Sequence, residues 1–479
     1  MGNSNAAERV AHHLRVLAGT ATAGTRLPSV RELTVRHQAS PVTVAEAIRQ
    51  LVAEGLVETR SGRGTFVAAR PGPAAAPDLS WQTVALGPRR FGEEEMQALL
   101  SLPPSGAIPL SGGYLDADLQ PAAALGAALA RAARQPAAWQ RGPAEGRADL
   151  RAWFAREAGG GLRADDMVIC PGGQAALSST LRALTEPGDT LLVESPTYLG
   201  ALAAAHAAGL RVVPVPADHD GVRPDQLAAA FARTGARLFY CQPLYANPTG
   251  ATLSPARRPE VLAAVRNAGA FLIEDDYARD LAIDGDPPPP LASADPHGHV
   301  IHLRPLTKSA APGLRVAGLG ARGPAGARLR AARLLDDFFV SGPLQQATVE
   351  FVTSPAWGRH RRGLRAELGN RRAALLGALR RHLPGLVPPV VPRGGLHLWV
   401  RLPDGRDDVA VAAAAAAAGV IVFPGRAWHA AEPPGAFLRL TYAAAAAEAM
   451  DEAVRRLGLA LGDVSTSSRH PPEPAEPPI

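Results

Sequence analysis

The chain has 479 residues, of which 47% are apolar and 20% are charged. This length exceeds what one ordinary hydrophobic core accommodates, so it favours two or more domains, and the composition is typical of a soluble globular protein. The two cysteines, Cys170 and Cys241, exclude a disulfide framework and favour a reducing compartment.

The N-terminus and the longest apolar run indicate where the protein resides. Glu8, Arg9 and two histidines lie where a secretory signal would need an apolar stretch. The longest apolar run, Val409 to Phe423, is mostly alanine, is shorter than a bilayer span and ends at Pro424. We therefore expect a cytoplasmic protein that does not cross a membrane.

The net charge of +6 is concentrated at the N-terminus, because residues 1–70 contain nine arginines and five glutamates, a net charge of +4. A basic surface of this kind attracts phosphate groups. A solvated basic face without a nucleic-acid partner would have the same composition. Charge alone therefore leaves DNA binding open.

Two helix starts are evident in the first seventy residues. Ser29 and Glu32 form a capping box, in which Ser29 accepts from the backbone of Glu32 and Glu32 reaches back. Ser40 followed by Pro41 is a second start, with an N-cap residue and a proline at the first helical position. Two short helices with a tight connection predict a helix-turn-helix, whose second helix can enter a major groove.

The second helix and the segment after it complete this module. Val44, Ile48 and Leu51 form an inward stripe on the helix. The pattern predicts that the other positions are less buried, namely Val42, Thr43, Glu46, Arg49 and Gln50. Residues 57–67 predict a hairpin wing with Arg63 at its tip.

Residues 6–68 resemble the winged helix-turn-helix of the GntR regulator family. The resemblance rests on the stretch Gly-Thr-Arg-Leu-Pro-Ser-Val-Arg-Glu-Leu, on Glu54-Gly55-Leu56, and on the wing Gly-Arg-Gly-Thr-Phe-Val. It implies that Arg26 and Arg31 hold phosphates, whereas Thr43, Arg49 and the wing approach bases. The DNA-binding candidates are Arg26, Ser29, Arg31, Ser40, Thr43, Arg49 and Arg63.

One departure limits this comparison. The family usually has Ser-Arg at the start of the recognition helix, where this chain has Ser40-Pro41. One DNA contact is therefore missing, and the operator preference of relatives does not transfer. Each arginine taken singly is equally consistent with an ordinary surface charge.

The rest of the chain is predicted to contain a linker, a second domain and a tail. Residues 71–105 are a predicted linker, with a semi-extended Pro-rich start and a short helix over 91–100. Residues 106–461 alternate strand-like runs with amphipathic helices, which predicts a largely parallel sheet covered by helices. Residues 462–479 are rich in Ser, Pro and Glu and are predicted to be disordered. The predicted strands are 168–170, 190–194, 211–215, 237–241, 271–273 and 300–303.

Lys308 is the only lysine in the chain. Arginine cannot replace lysine in a Schiff base, because the guanidinium stays protonated and is a poor nucleophile. A stray surface lysine is the alternative. Arg315 lies seven residues further on and is a candidate to bind a phosphate through two parallel N–H···O hydrogen bonds.

Polar groups also follow several predicted strands, at the edge where α/β sheets bind ligands. Glu274-Asp275-Asp276-Tyr277 ends one strand, and Asn247 follows another. Either group alone would also suit a solvated strand end or a common turn. Gly172, Gly173 and Gln174 precede a helix, so their N–H groups can receive a phosphate, and Tyr198 is a candidate for stacking on a ring.

The order of these groups resembles that of aminotransferases over about Pro109 to Leu461. The whole chain resembles the MocR (GabR-like) subfamily of GntR regulators. This implies pyridoxal 5'-phosphate (PLP) as cofactor, with Lys308 as the Schiff-base lysine and Asp275 as the partner of the pyridine nitrogen. It further implies that Tyr277 and Asn247 bond the phenolic oxygen, Tyr198 stacks, Arg315 binds phosphate and Arg439 clamps an amino acid's carboxylate.

The fold so implied is α/β: the winged helix-turn-helix is joined to a PLP-dependent transferase fold, with a mainly parallel sheet in a large domain and a smaller α+β C-terminal domain. Three positions depart from the family pattern. Pro305 and Pro171 replace expected hydroxyls, and Arg141 aligns where a partner subunit's tyrosine usually reaches the phosphate. The phosphate site has therefore lost hydroxyl donors, partly offset by Arg141 and Thr307.

Two functions from different classes fit the sequence. The first is a transcriptional regulator that senses an amino acid or amine through its PLP domain, and the second is an active aminotransferase with an accessory DNA-binding module. The basic N-terminal module favours the regulator, because a metabolic enzyme has no need of it. The resemblance implies a head-to-tail homodimer. No metal site is predicted.

Overall fold

The computed structural model describes residues 2–69, 77–86 and 93–467. The chain forms two compact units, Met1–Pro88 and Arg89–Ile479. Most of the stretch predicted to be semi-extended, residues 71–76, lies outside the described residues.

The described residues of the N-terminal unit form four helices and one hairpin: α1 (Gly2–Thr20), α2 (Val30–His37), α3 (Pro41–Ala53), β1 (Val57–Arg60), β2 (Gly64–Val67) and α4 (Ser80–Leu86). The hairpin is antiparallel, with Val57 opposite Val67 and Arg60 opposite Gly64. Leu14 from α1, Leu33 from α2 and Leu51 from α3 meet in one hydrophobic cluster. The predicted winged helix-turn-helix is confirmed.

Both predicted helix starts are confirmed. Glu32 N–H donates to Ser29 Oγ at 3.3 Å, and Ser29 N–H donates to Glu32 Oε2 at 2.7 Å. Thr43 N–H donates to Ser40 Oγ at 3.1 Å, with Pro41 in the first turn of α3. These caps satisfy N–H groups that the first turns would otherwise leave without an acceptor.

The expectation that Thr43 is less buried is wrong, because this side chain is only 4% exposed. The buried face of α3 also includes Thr43 and Ala47, one turn apart, so it is wider than the predicted stripe. The hydroxyls of Thr43 and Ser40 lie 2.8 Å apart and bond to each other. Among the predicted base-reading residues of α3, Arg49 remains exposed.

The second unit contains an eight-stranded sheet in the order β4-β11-β10-β9-β8-β5-β6-β7. Strands β10, β9, β8, β5 and β6 are parallel, whereas β11 is antiparallel to both its neighbours and β7 is antiparallel to β6. The strands of this unit are β3 (Ile108–Pro109), β4 (Met167–Cys170), β5 (Thr190–Ser195), β6 (Arg211–Asp218), β7 (Gly221–Val222), β8 (Leu238–Cys241), β9 (Phe271–Asp275), β10 (Val300–Pro305), β11 (Ala317–Gly320), β12 (His397–Arg401), β13 (Val420–Ile421), β14 (Phe423–Pro424) and β15 (Phe437–Thr441).

Helices cover this sheet, as the alternating sequence pattern predicted. The described helices of this unit, including those of its C-terminal part, are α5 (Glu93–Leu100), α6 (Ala122–Ala133), α7 (Ala148–Ala158), α8 (Gly173–Leu184), α9 (Leu199–Ala207), α10 (Pro224–Thr234), α11 (Arg257–Asn267), α12 (Gly323–Asp337), α13 (Gly342–Val352), α14 (Pro355–His382), α15 (Asp408–Ala417) and α16 (Met450–Ser467). Strand β11 was not predicted, because its sequence Ala-Gly-Leu-Gly lacks the β-branched and aromatic residues typical of strands. Gly318 in this strand lies against the ring of Phe154, where a Cβ would overlap it.

The C-terminal part forms the predicted smaller α+β layer. Its antiparallel sheet has the order β12-β15-β14, and α14, α15 and α16 contribute to its hydrophobic core. Helix α16 continues to Ser467, so the prediction that disorder begins at residue 462 is wrong. The reason is local, since the first proline after α16 is Pro471 and no earlier residue breaks the helix. Residues 468–479 lie outside the described residues.

None of the helices that the structure describes is both long and apolar enough to cross a membrane.

Leu51→Ala is expected to destabilise the N-terminal unit by about 2–5 kcal/mol, because it leaves a cavity at a fully buried position. Native-state hydrogen exchange of the α3 amides measures this change as lost protection. Val42→Ala, at a 72% exposed position of the same helix, is the control and should cost less than about 0.5 kcal/mol. Equal losses in the two variants would show that Leu51 does not belong to the core.

Candidate functional site

One pocket lies at the carboxyl ends of β8, β9 and β10, beside the start of α8. Its empty volume, including the space open to solvent at its mouth, is about 560 Å³. It includes every predicted cofactor-binding residue except Gly172 and Arg141. The lining residues are Tyr114, Gly173, Gln174, Leu177, Tyr198, Gln242, Asn247, Asp275, Tyr277, Pro305, Thr307, Lys308 and Arg315.

Lys308 follows β10, and its ammonium group lies against an aromatic ring in the pocket. The distance from Nζ to the centre of the Tyr114 ring is 3.5 Å. Burial, reinforced by the positive charge of Arg439, lowers the pKa of Lys308 to about 7, although Asp275 acts in the opposite direction. A substantial fraction of this amine is therefore neutral, and so nucleophilic, near neutral pH. Tyr114 was not predicted, because it lies in an irregular segment far from Lys308 in sequence.

Asp275 is buried at the end of β9 and accepts two hydrogen bonds on one oxygen. Tyr240 Oη donates to Oδ2 at 2.7 Å, and Gln242 Nε2 donates to the same atom at 2.8 Å. Burial raises the pKa of Asp275 to about 6, and the two hydrogen bonds oppose that rise. Oδ1 accepts no hydrogen bond from the described residues, so this oxygen can serve a ligand in the pocket. Tyr240 and Gln242 were not predicted as site residues, because Tyr240 lies in the ordinary apolar pattern of β8 and Gln242 directly follows that strand.

Three further predicted side chains meet in the same pocket. Asn247 Oδ1 accepts from Arg439 Nη1 at 3.2 Å, which directs the Nδ2 donor of Asn247 elsewhere. Tyr277 Oη donates to the carbonyl of Tyr245 at 2.6 Å and can still accept a hydrogen bond. Tyr198 Oη donates to Gln174 Oε1 at 3.2 Å.

The start of α8 and Arg315 form the cationic end of the pocket. Gly173 and Gln174 are the first two residues of α8, where helix geometry leaves the N–H groups without intrahelical acceptors. Arg315 Nη2 donates to the carbonyl of Pro171 at 2.9 Å. A Cβ on Gly172 would lie 2.6 Å from the same nitrogen, and the φ of +98° at Gly172 itself favours glycine. These donors suit an anion such as phosphate.

Three predicted phosphate-binding residues behave differently from one another. The expectation that Gly172 N–H is free for a phosphate is wrong, because it donates to the carbonyl of Cys170 at 2.8 Å. Thr307 Oγ1 is buried without a hydrogen-bond partner among the described residues, as expected of a donor reserved for a ligand. Arg141 is exposed and lies outside this pocket.

Arg439 on β15 is a buried cation that has no carboxylate partner in the part of the chain that the structure describes. Its side chain is 1% exposed and donates to Asn247 and to the carbonyl of Ser111. The guanidinium carbon lies 4.3 Å from the centre of the Trp428 ring. Burial lowers the pKa of Arg439 to about 9. A buried charge of this kind is costly unless an anion joins it.

His397 on β12 is a titratable neighbour that sequence reasoning missed. Burial, together with the charges of Arg439 and Lys308, holds the pKa of His397 well below its usual value. The ring is therefore neutral near neutral pH and adds no third positive charge to this region.

The DNA-binding candidates occupy the surface of the N-terminal unit, apart from Thr43. The side chains of Arg26, Arg31, Arg49 and Arg63 are exposed. Arg26 pairs with Phe66 in an isolated β-bridge, and its guanidinium lies beside Gly64 of the wing. Ser29 and Ser40 are also exposed, but their hydroxyls already cap α2 and α3.

Family models match both units of the chain. Residues 110–457 match the model of aminotransferase class I and II. The chain belongs to this family. Residues 6–67 match the model of bacterial regulatory proteins of the gntR family, so the chain joins a DNA-binding module to an aminotransferase-like domain.

Relatives match the chain over nearly its whole length, and a solved structure shares the aminotransferase fold. The chain is 28% identical to YdfD, an uncharacterized HTH-type transcriptional regulator of Bacillus subtilis (strain 168), over 92% of this chain and 93% of that protein. It is 26% identical to MocR of Rhizobium meliloti, a probable rhizopine catabolism regulatory protein, over 95% and 93%. The crystal structure of LysN, an α-aminoadipate aminotransferase of Thermus thermophilus complexed with N-(5'-phosphopyridoxyl)-L-leucine, has a TM-score of 0.73 at 29% identity and covers 81% of this chain and 100% of LysN.

This MocR-like member of the GntR regulators uses the PLP-dependent aminotransferase fold, and its pocket fits the cofactor. Lys308 supplies a nucleophilic amine, and Asp275 supplies a carboxylate oxygen that accepts no hydrogen bond from the described residues. Thr307 supplies a buried hydroxyl without a hydrogen-bond partner among the described residues. When bound, PLP supplies an aldehyde for the amine and a pyridine ring that withdraws electrons. The amine and the carboxylate belong to one pocket, which the Schiff-base assignment requires.

The rate at which the apoprotein takes up PLP is expected to rise with pH and to level off above about 7. Burial lowers the pKa of Lys308 to about 7, so the amine is mostly charged below this pH and mostly neutral above it. Visible absorbance after mixing with PLP measures the rate. Lys308→Ala should gain no such absorbance while retaining its helical content by circular dichroism. A midpoint near the value of a free lysine, about 10.4, would contradict this account of the pocket.

Proposed function

We propose that this GntR-type regulator senses an amino acid or an amine through its PLP domain and changes its affinity for promoter DNA in response. The observation that carries the proposal is Arg439, a buried cation without a carboxylate partner among the described residues. A ligand whose amine takes the place of Lys308 on the PLP aldehyde, releasing the lysine amine, and whose carboxylate lies at Arg439 would supply the missing anion. An α-amino acid has both groups, and a simple amine has one.

Helix α5 gives the effector site a physical route toward the DNA-binding module. Met96 and Leu99 of this helix pack against an aromatic cluster that contains Trp428. Trp428 also lies under the guanidinium of Arg439. A ligand at Arg439 would therefore act on a ring that supports α5. In the chain, α5 is the first described helix of the second unit, directly after the segment that joins it to the DNA-binding module. The change in DNA affinity can be no larger than the ligand's differential affinity for the two states.

We propose a homodimer, in which the exposed Arg141 is free to contact a partner subunit. In a head-to-tail dimer, the form that the family resemblance implies, this arginine would reach the phosphate of the partner subunit's PLP. A two-fold assembly would also present two DNA modules to paired half-sites. For DNA we propose phosphate contacts by Arg26 and Arg31 and base contacts by Arg49 and the Arg63 wing.

An active aminotransferase is the second candidate, because Lys308, Asp275, Asn247 and Arg439 are all present at one site. Half-reactions on a bound amino acid are chemically possible with this set. Turnover of an amino acid and a keto acid at ordinary enzyme rates, by a protein that binds no promoter DNA, would replace the regulator proposal with this one.

Arg31→Ala is expected to weaken DNA binding by a similar factor on different sequences and to reduce the salt slope by about 1, because it removes one phosphate contact. Fluorescence anisotropy with promoter fragments at several salt concentrations measures both quantities. Arg15→Ala is the control, since Arg15 bonds Glu54 through two nitrogens and is not a proposed contact. An unchanged salt slope for Arg31→Ala would show that Arg31 does not contact a phosphate.

Leu99→Ala is expected to preserve effector binding but to reduce the effector's influence on DNA affinity. Titration with a panel of amino acids and amines, followed by the PLP spectrum, first identifies the effector. In the unaltered protein this effector should change DNA affinity by about 5- to 150-fold, and Leu99→Ala should bring that factor toward one. Leu100→Ala, at a 58% exposed neighbouring position, is the control and should retain the full effect of the effector on DNA affinity. Full coupling in Leu99→Ala would exclude α5 as the route, and a panel without any spectral or DNA response would contradict the sensor proposal.

A further inference from the structure

Gln242 follows β8 and forms hydrogen bonds to two other residues of the pocket, Asp275 and Asn247. Its Nε2 donates to Asp275 Oδ2 at 2.8 Å, and its Oε1 accepts from the backbone N–H of Asn247 at 2.9 Å. Its own backbone N–H donates to Glu194 Oε2 at 2.8 Å. With 3% of its surface exposed, Gln242 is held at three points.

The hydrogen bonds determine which way the amide of Gln242 points. The backbone N–H of Asn247 can only donate, so the amide atom facing it must be the oxygen. The nitrogen therefore faces Asp275 and donates to it. A donor at this place stabilises the ionised carboxylate, and the bond to Oδ2 leaves Oδ1 as the oxygen for a protonated pyridine.

The same side chain reaches the effector end of the pocket through Asn247. Asn247 Oδ1 accepts from Arg439 Nη1 at 3.2 Å. The hydrogen bonds thus run from Asp275 through Gln242 and Asn247 to Arg439. Tyr240 also bonds Asp275, but it makes no hydrogen bond to Asn247 in the described structure, so Gln242 alone joins the two ends.

We propose that Gln242 is a positioning residue, which aligns Asp275 with the pyridine nitrogen of PLP and places Asn247 against the ring's phenolic oxygen and Arg439. The inference rests on the proposed function, because it assumes that PLP occupies the pocket. It concerns this chain's own residues: Gln242 acts through Asp275 and Asn247.

The test uses Gln242→Met in the full-length chain. Methionine has a similar length and cannot make either hydrogen bond. The dissociation constant of PLP should rise by about 10- to 100-fold, the range expected for losing a hydrogen bond to a charged group. The visible circular dichroism of bound PLP at a fixed pH should also change, because the ring loses its fixed orientation. A role in folding alone would leave that signal unaltered once PLP is bound.

Two further variants make the result specific. Tyr240→Phe removes the other hydrogen bond to Asp275 and leaves the hydrogen bond between Gln242 and Asn247. It should therefore raise the dissociation constant of PLP less than Gln242→Met does, and it should preserve the visible circular dichroism. Gln242→Glu keeps an acceptor for Asn247 and places a second carboxyl against Asp275. It should change both signals in the direction of Gln242→Met, and it serves as the test should the methionine variant not fold, as judged by far-ultraviolet circular dichroism.

The outcomes separate this inference from the function on which it rests. An unaltered protein that takes up no PLP would overturn the proposed function. An unaltered protein that binds PLP, with folded Gln242 variants of the same affinity and spectrum, would overturn the positioning role alone. Equal changes in Gln242→Met and Tyr240→Phe would also overturn it, because the link through Asn247 would then contribute nothing.

Discussion

The pocket of the second unit is lined by Lys308, Asp275 and the exposed Arg315, and the buried Arg439 bonds to its lining residue Asn247. Lys308, Arg439 and Asp275 lie in surroundings that exclude most water. Removing charges from water is costly, so each of these groups is stable only with partners that suit its charge. The described residues give Asp275 two donors and leave Arg439 with neutral acceptors and aromatic rings. This imbalance suits the pocket to a ligand that brings an anion, as we propose for the carboxylate of an amino acid.

The same imbalance gives the proposed regulator something to detect. Occupation of Arg439 by a carboxylate would change the charge against Trp428, and Trp428 belongs to the cluster that supports Met96 and Leu99 of α5. In an enzyme, such a contact would only stabilise the domain. In a chain whose N-terminal unit matches the gntR family, we propose that the same contact transmits ligand binding toward the DNA-binding module.

Several features were predictable because they depend on neighbouring residues or on side-chain chemistry that no other residue supplies. The caps at Ser29 and Ser40 need partners three residues away, and both formed as expected. Lys308 was identifiable because no other residue of this chain can form a Schiff base. Tyr114 and Gln242, in contrast, belong to the site only through contacts with the distant residues Lys308 and Asp275. Their local sequence carries no signal of this.

Local periodicity, helix capping and residue chemistry can all be recognised in an amino-acid sequence. They were enough to predict the two-part organisation, the helix starts, the strands that carry the ligand groups and the identity of the reactive amine. Tertiary structure decided which of three consecutive carboxylates serves the pocket. Glu274 accepts from the backbone of Leu291 and Ala292, and Asp276 pairs with Arg279, so Asp275 alone faces the site. It also decided that Gly172 N–H is used internally and that Arg439 lacks a carboxylate among the described residues. The physical reason is that each outcome depends on which distant groups share a buried space, and this is fixed only when the sheet and its helices assemble.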